Sequence, residues 1–214
     1  NFGELKMWEL VKAGGWLMLP LVLCSIFTVA ISLERWIRLK RALVLPQHLM
    51  MRKGRTLDVV IKGLGQDQTH SALGSIFKEA IDARNQGEAF ARAQMEATAS
   101  REIGYLEKNV NFLGTLSAVA PLLGLLGTVV GIIESFLVMD LASGTSPTMM
   151  IPGLSKALIT TAAGMLIAIP ALFAYRYFQR LVQEYIAELE QQSTLFHAAL
   201  FYQDQTDAQQ QNLA

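Results

Sequence analysis

Cysteine is almost missing from this chain. One thiol, Cys24, among 214 residues excludes a disulfide framework and reads as a small buried side chain inside an apolar run. Histidine is nearly as sparse, and His48, His70 and His197 lie too far apart to match any metal-ligand spacing. Net charge is absent, with 18 basic against 18 acidic residues, so no global field draws the chain to nucleic acid. There is no GxxxxGK[ST] phosphate loop, which argues against direct nucleotide hydrolysis. The long apolar runs hold no Ser or Asp pair and no His-rich metal motif. An intramembrane enzyme therefore lacks its chemistry, and the expectation is a non-enzyme with no cofactor and no bound metal.

What the chain does have is apolar length. Apolar residues make up 52% of it and the mean hydropathy is +0.33, high for a soluble fold. Three runs, 15–33, 112–133 (extending to Met139) and 158–175, are long enough for a helix to cross a bilayer. The first has no basic region before it and no small-residue cleavage site after it. It is followed by Glu34-Arg35-Trp36-Ile37-Arg38-Leu39-Lys40-Arg41, a stop-transfer flank, so a retained helix is expected rather than a removed signal. Trp8 and Trp16 are placed as interfacial anchors at its outer end. Met7-Trp8 is a candidate natural start, residues 1–6 then being an upstream extension.

Basic residues set the expected topology. Of the 18, thirteen lie within 35–108, two are Arg176 and Arg180, two precede the first span and the last is Lys156, leaving 140–152 with none. The positive-inside rule then puts the N-terminus outside and the C-terminus in the cytoplasm. The expected fold is an all-α membrane protein of three transmembrane helices with long cytoplasmic helical extensions. The segments are an outer N-terminal stretch 1–14, a first span 15–34, a cytoplasmic insert 35–110, a second span 111–139, an outer loop 140–152, a third span 153–175 and a cytoplasmic helix and tail 176–214.

The first part of the insert, 35–62, carries eight basic residues against the single acid Asp58. It reads as a juxtamembrane face for anionic headgroups, with a partner-docking surface as the other reading. Residues 63–69 read as a loop. Leu73, Ile76, Phe77, Ala80 and Ile81 form a helical stripe. Residues 88–109 contain no proline, so one helix is expected to run from there straight into the second span. In the tail, Leu181, Val182, Tyr185, Ile186, Leu189, Leu195 and Phe196 predict an amphipathic continuation of the third span, packed on the insert. Its net charge of −3 over 176–214 complements the insert's excess of five positive charges. The Gln- and Asp-rich 203–214 reads as disordered.

The hairpin 111–175 concentrates the unusual residues. Gly124, Gly127 and Gly131 in the second span are echoed by Ala157, Ala162, Ala163, Gly164 and Ala168 in the third, a composition that permits close helix approach in lipid. Pro121 and Pro170 are expected to kink or locally open their helices. Polarity at membrane depth comes from Thr128, Glu134, Lys156, Thr160 and Thr161. A threonine in a membrane helix commonly bonds its own backbone one turn back; the other reading is an exposed role in a pathway.

The stretches 119–136, VAPLLGLLGTVVGIIESF, and 151–175, IPGLSKALITTAAGMLIAIPALFAY, closely resemble the ExbB/TolQ/MotA family of proton-driven channel subunits, and the three-span layout resembles its ExbB/TolQ branch. The two motifs cover about a fifth of the chain. The resemblance implies a multi-pass protein of the bacterial inner membrane with its N-terminus in the periplasm. It also implies a homopentamer enclosing two copies of a single-span ExbD/TolR-like partner whose transmembrane aspartate carries the proton. Proton flow would then do mechanical work on periplasmic or outer-membrane partners. The family's pore-lining threonines correspond to Thr128 and Thr161, and a hydroxyl can donate to a carboxylate or accept from a carboxylic acid.

One position departs from the pattern. Relatives of the ExbB/TolQ kind carry a third-span glutamate where this chain has Lys156. If Thr128 and Thr161 face each other, Glu134 and Lys156 both lie roughly 8–9 Å toward the outer side at 1.5 Å per residue. Two readings stay open: an ion pair that relocates the family's carboxylate to the second span, or a lysine that snorkels to the interface. A non-conducting structural scaffold of the same family is the alternative function, and Lys156 is its only support.

Overall fold

The computed structural model describes residues 14–52, 55–65, 71–141 and 147–211. Expectations that fall on Trp8, on 66–70, on 142–146 and on 212–214 lie outside the described residues. Every regular element among the described residues is helical. The helices are α1 (Met18–Arg38), α2 (Arg41–Val44), α3 (Leu57–Gly65), α4 (Ala72–Ala83), α5 (Glu88–Glu107), α6 (Val110–Leu141) and α7 (Ile151–Gln211), with 3-10 turns at Arg84–Gln86 and Pro147–Met150. Three stretches are long and apolar enough to cross a membrane, in α1, α6 and the first part of α7.

The chain divides into two compact units. The first, Asn1–Arg35 with Asn109–Phe178, holds the three apolar stretches. Met18 and Leu21 of α1 meet Ala120 of α6 and Ala168 of α7, with Leu123, Ala163 and Ile167 packed around them. Leu122, Leu158, Leu166 and Phe173 point outward and are exposed. An apolar exterior of this kind would be unfavourable in water and suits a hydrocarbon surround. Pro121 and Pro170 sit inside α6 and α7 without ending either helix.

Asn109 opens α6 with φ +54°, a left-handed conformation that asparagine tolerates better than most residues. The expected single helix from residue 88 into the second span is therefore broken at Lys108–Asn109. No proline announces the break. Asn109 makes up for it by donating Nδ2 to Glu34 at 2.6 Å and by offering its carbonyl to Leu113 N at 3.0 Å.

The second unit, Trp36–Lys108 with Gln179–Ala214, has an ordinary apolar core. Ser71 caps α4 by accepting from Gly74 N, and the stripe Leu73, Ile76, Phe77 and Ala80 is buried. Phe77 stacks on Phe196 with centroids 4.0 Å apart. Val182, Tyr185 and Leu189 of α7 are buried, whereas Leu195, counted in the same stripe from sequence, is exposed. Each residue of a helix advances it by about 100°, so a neighbour of the buried Phe196 need not share its face. Arg41 grips both carboxylate oxygens of Glu188, at 2.5 and 2.8 Å, and Tyr185 donates to the Leu39 carbonyl at 2.8 Å.

Two further expectations change here. Helix α3 runs through Gly63 to Gly65, so the loop expected from residue 63 starts later; a Cβ at Gly63 would come within 3.4 Å of the His48 carbonyl. Helix α7 continues to Gln211, into the stretch expected to be disordered, where glutamine and alanine are good helix formers.

Candidate ion-pathway site in the hairpin

The site begins with missing side chains. At Gly124 a Cβ would lie 3.1 Å from Thr161 Cα and 3.2 Å from the Thr160 carbonyl. At Gly131 it would lie 2.7 Å from Ala157 Cβ and 2.8 Å from the Gly153 carbonyl, and at Gly164 it would lie 2.7 Å from the Ala120 carbonyl. A Cβ at Gly127 would run into the Thr160 side chain. Each glycine thus admits backbone or a short side chain of the opposite helix where any larger residue would force α6 and α7 apart. The hairpin is held by main-chain approach.

That closeness puts α7's threonines against carbonyls. Thr161 Oγ1 donates across the interface to the Gly124 carbonyl at 2.9 Å. Thr160, 1% exposed, lies within bonding range of two acceptors, the Lys156 carbonyl at 2.9 Å and the Gly14 carbonyl at 3.1 Å. Thr128 is half-buried and returns its proton to its own helix, at the Leu125 carbonyl 2.6 Å away. The contact register sets Thr161 against Gly124 instead of Thr128, four residues and roughly 6 Å along the axis from the facing position assumed from sequence. The reason is steric: glycine at 124 lets the α7 backbone approach there, and Thr128 lies beside the packed stripe.

These bonds decide what the hydroxyls can do. Each of the three has its single proton directed at a carbonyl, and each retains lone pairs. Thr128 and Thr161, both half-buried, can therefore accept from a protonated carboxylic acid or a hydrated cation without rearrangement, whereas Thr160 is sealed between the helices. Donation to a carboxylate requires one of the existing bonds to open.

One level nearer the 142–146 end of the hairpin, Lys156 Nζ donates to Glu134 Oε2 at 2.7 Å, a pair formed within one chain. The side chains remain 27% and 43% exposed. A lone charge at membrane depth costs about 2.5–3.5 kcal/mol on insertion scales, and each partner here relieves the other. The stem of Lys156 passes over Gly15, where a Cβ would meet Cε and come within 2.8 Å of Nζ. At the same end, buried Ser135 donates to the Gly131 carbonyl at 2.8 Å and lies 3.3 Å from the Met150 carbonyl.

Sequence reasoning missed Gly14, Gly15 and Ser135. The Gly14-Gly15 doublet was visible as a signal of close approach, but nothing local says which helix approaches it. Ser135 was hidden beside the more conspicuous Glu134. Pro121 and Pro170 lie within unbroken helix, Pro121 directly after Ala120, whose carbonyl faces Gly164.

Comparison with known proteins gives the family of the chain. Residues 68–191 match the model of the MotA/TolQ/ExbB proton channel family. The chain is 33% identical over 205 residues to an ExbB-like biopolymer transport protein of Synechocystis, covering 89% of this chain and 78% of that protein. It is 30% identical over 194 residues to the biopolymer transport protein ExbB of Salmonella typhimurium, covering 80% and 75% of the two chains. A third match, 38% identical over 111 residues, is to the Tol-Pal system protein TolQ of Haemophilus influenzae, covering 50% of this chain and 49% of that one. With more than half of its length matched to the family and its three apolar spans in place, this membrane protein belongs to the MotA/TolQ/ExbB proton channel family.

Proposed function

We propose that the chain is the ring-forming subunit of an inner-membrane motor, five copies enclosing two single-span ExbD/TolR-like partners, that turns proton-motive force into work on periplasmic or outer-membrane components. Its N-terminus lies in the periplasm and its C-terminus in the cytoplasm, as the distribution of basic residues favours. The observation that carries the reading is the line of two half-buried threonines, Thr128 and Thr161, whose lone pairs remain available on the helix pair. A partner's transmembrane aspartate, once protonated, is a carboxylic acid. It finds hydrogen-bond acceptors along this line, and protons are the translocated ion.

In this reading the Lys156–Glu134 pair is the gate. Paired, the two charges cancel and present little barrier to the neutral acid. When Glu134 takes a proton the attraction is lost and Lys156 is free to move. The scaffold reading has one observation in its favour, a cation fixed at 2.7 Å from Glu134, which would repel a bare proton. Co-expression with a single-span partner from the same genome, followed by mass measurement of the intact complex and proton uptake into vesicles, separates the two. A 5:2 complex with uptake supports the motor; a stable complex without uptake under an imposed potential supports the scaffold.

A further inference from the structure

We infer that the Gly14–Gly15 turn ahead of α1 is a positioning element for the Lys156–Glu134 pair, so that the first span takes part in the gate as well as anchoring the chain. The inference rests on the proposed role of that pair.

The turn is tied to both neighbours. Gly15 offers its carbonyl to Met18 N at 3.1 Å, starting α1. Gly14 offers its carbonyl to Thr160 Oγ1 at 3.1 Å, in a buried bond to α7. Gly15 has φ +74°, a conformation that glycine adopts at no steric cost. The face it leaves bare is where the Lys156 stem crosses on its way from α7 to Glu134 on α6, with Nζ 2.8 Å and Cδ 3.5 Å from the place a Cβ would take. A lysine side chain has four rotatable bonds and many rotamers of similar energy. Here the turn forms one wall along the path the Lys156 stem takes to its carboxylate, and Thr160, one helical turn along α7, fixes the height of that wall. A side chain on residue 15 must push Lys156 aside.

The consequence is a coupling. Any movement of the start of α1 relative to α7 moves the wall, and with it the distance between Nζ and Oε2. A carboxylate that loses its ammonium partner in a low-dielectric surround is a different electrostatic object from a paired one. The first span can thus set whether the gate is paired.

The test uses the full chain, with its partner, reconstituted in lipid. Gly15→Asn adds a Cβ yet keeps a residue that tolerates positive φ, so a cost from backbone strain alone is largely relieved. Two readouts are compared with Lys156→Ala and with the double variant. The first is the dipolar coupling between lysine 15Nζ and glutamate 13Cδ in solid-state NMR, with the Lys156→Ala spectrum subtracted to isolate this pair. The second is proton uptake. The inference expects the coupling to vanish in Gly15→Asn. It expects uptake to fall about as far as in Lys156→Ala and no further in the double variant, because two changes acting through one contact do not add. Should Gly15→Asn fail to assemble, Thr160→Val, which removes the bond to Gly14 with little change of shape, is expected to weaken the same coupling. Unchanged coupling in the variants that assemble overturns the inference, as do uptake losses that multiply in the double variant. Lost coupling with wild-type uptake leaves the positioning role standing and removes the gate from the proposed function.

Discussion

A single hydroxyl proton separates the two interfacial threonines from Thr128. Thr161 spends its proton on a carbonyl of the opposite helix, whereas Thr128 spends it three residues back on its own. Replacing Thr161 by valine removes a bond that joins α6 to α7 and leaves the Gly124 carbonyl with one acceptor site unfilled. Such interhelical bonds in lipid are worth about 0.6 kcal/mol on average and up to about 1.7, so Thr161→Val is expected to destabilise the hairpin by about 1 kcal/mol. Thr128→Val should leave stability within about 0.5 kcal/mol of wild type, since only an intrahelical bond goes. Reversible unfolding in mixed micelles distinguishes the pair. Both variants lose acceptor lone pairs, so both are expected to reduce proton uptake. Uptake and stability should therefore rank the two residues differently.

At the scale of helices, the apolar runs and the amphipathic stripes were legible because burial and lipid both act through periodicity. The three spans, the α4 stripe and the Val182, Tyr185 and Leu189 face of α7 all follow from it. The break at Asn109 was not legible, since the preference that produces it belongs to one residue and is worth less than the helical propensity around it. The α6–α7 register was not legible either. A stripe of glycines says that backbones approach, and which carbonyl meets which threonine depends on how the two stripes interlock. The Lys156–Glu134 contact was reachable by counting residues, and it survives the corrected register because both side chains are long enough to absorb a helical turn of error.

The second unit offers two predictions of its own. Phe196 is fully buried and stacked on Phe77, so Phe196→Ala should cost about 3–5 kcal/mol, read as a lower denaturant midpoint for this unit. Glu102 of α5 is the other case. Burial pushes its carboxyl above the usual glutamate range, against the opposing pull of Arg101 and the Ser75 hydroxyl. The folded state then binds a proton more tightly than the unfolded chain, so this group favours folding in acid. Its contribution is lost as the pH rises through the raised folded value. Glu102→Gln should accordingly be more stable than wild type at neutral pH, with the difference shrinking as the pH falls through the raised folded value and levelling off below the normal glutamate range. A pH series of thermal melts checks it; an unchanged difference across the series would contradict the assignment.

For the whole molecule, the family and the apolar spans define a proton channel protein of the membrane, and the proposed ring places five copies of the hairpin around a partner. Evolution of such a ring can tolerate a relocated charge if the balance of charges at one level is kept. Lys156 opposite Glu134 keeps that balance at zero, and it leaves the deeper line of threonines unaltered. The account therefore stands on the pair and the line acting as one path.

Proton uptake by reconstituted complex, under an imposed potential, compared between wild type and Lys156→Met, tests this most directly. Removing the ammonium leaves Glu134 without its counter-charge and the gate without its moving part. The account predicts an assembled complex of unchanged subunit count with uptake reduced at least about tenfold, a rise of about 1.4 kcal/mol in the barrier. An assembled Lys156→Met complex that takes up protons at the wild-type rate would contradict it.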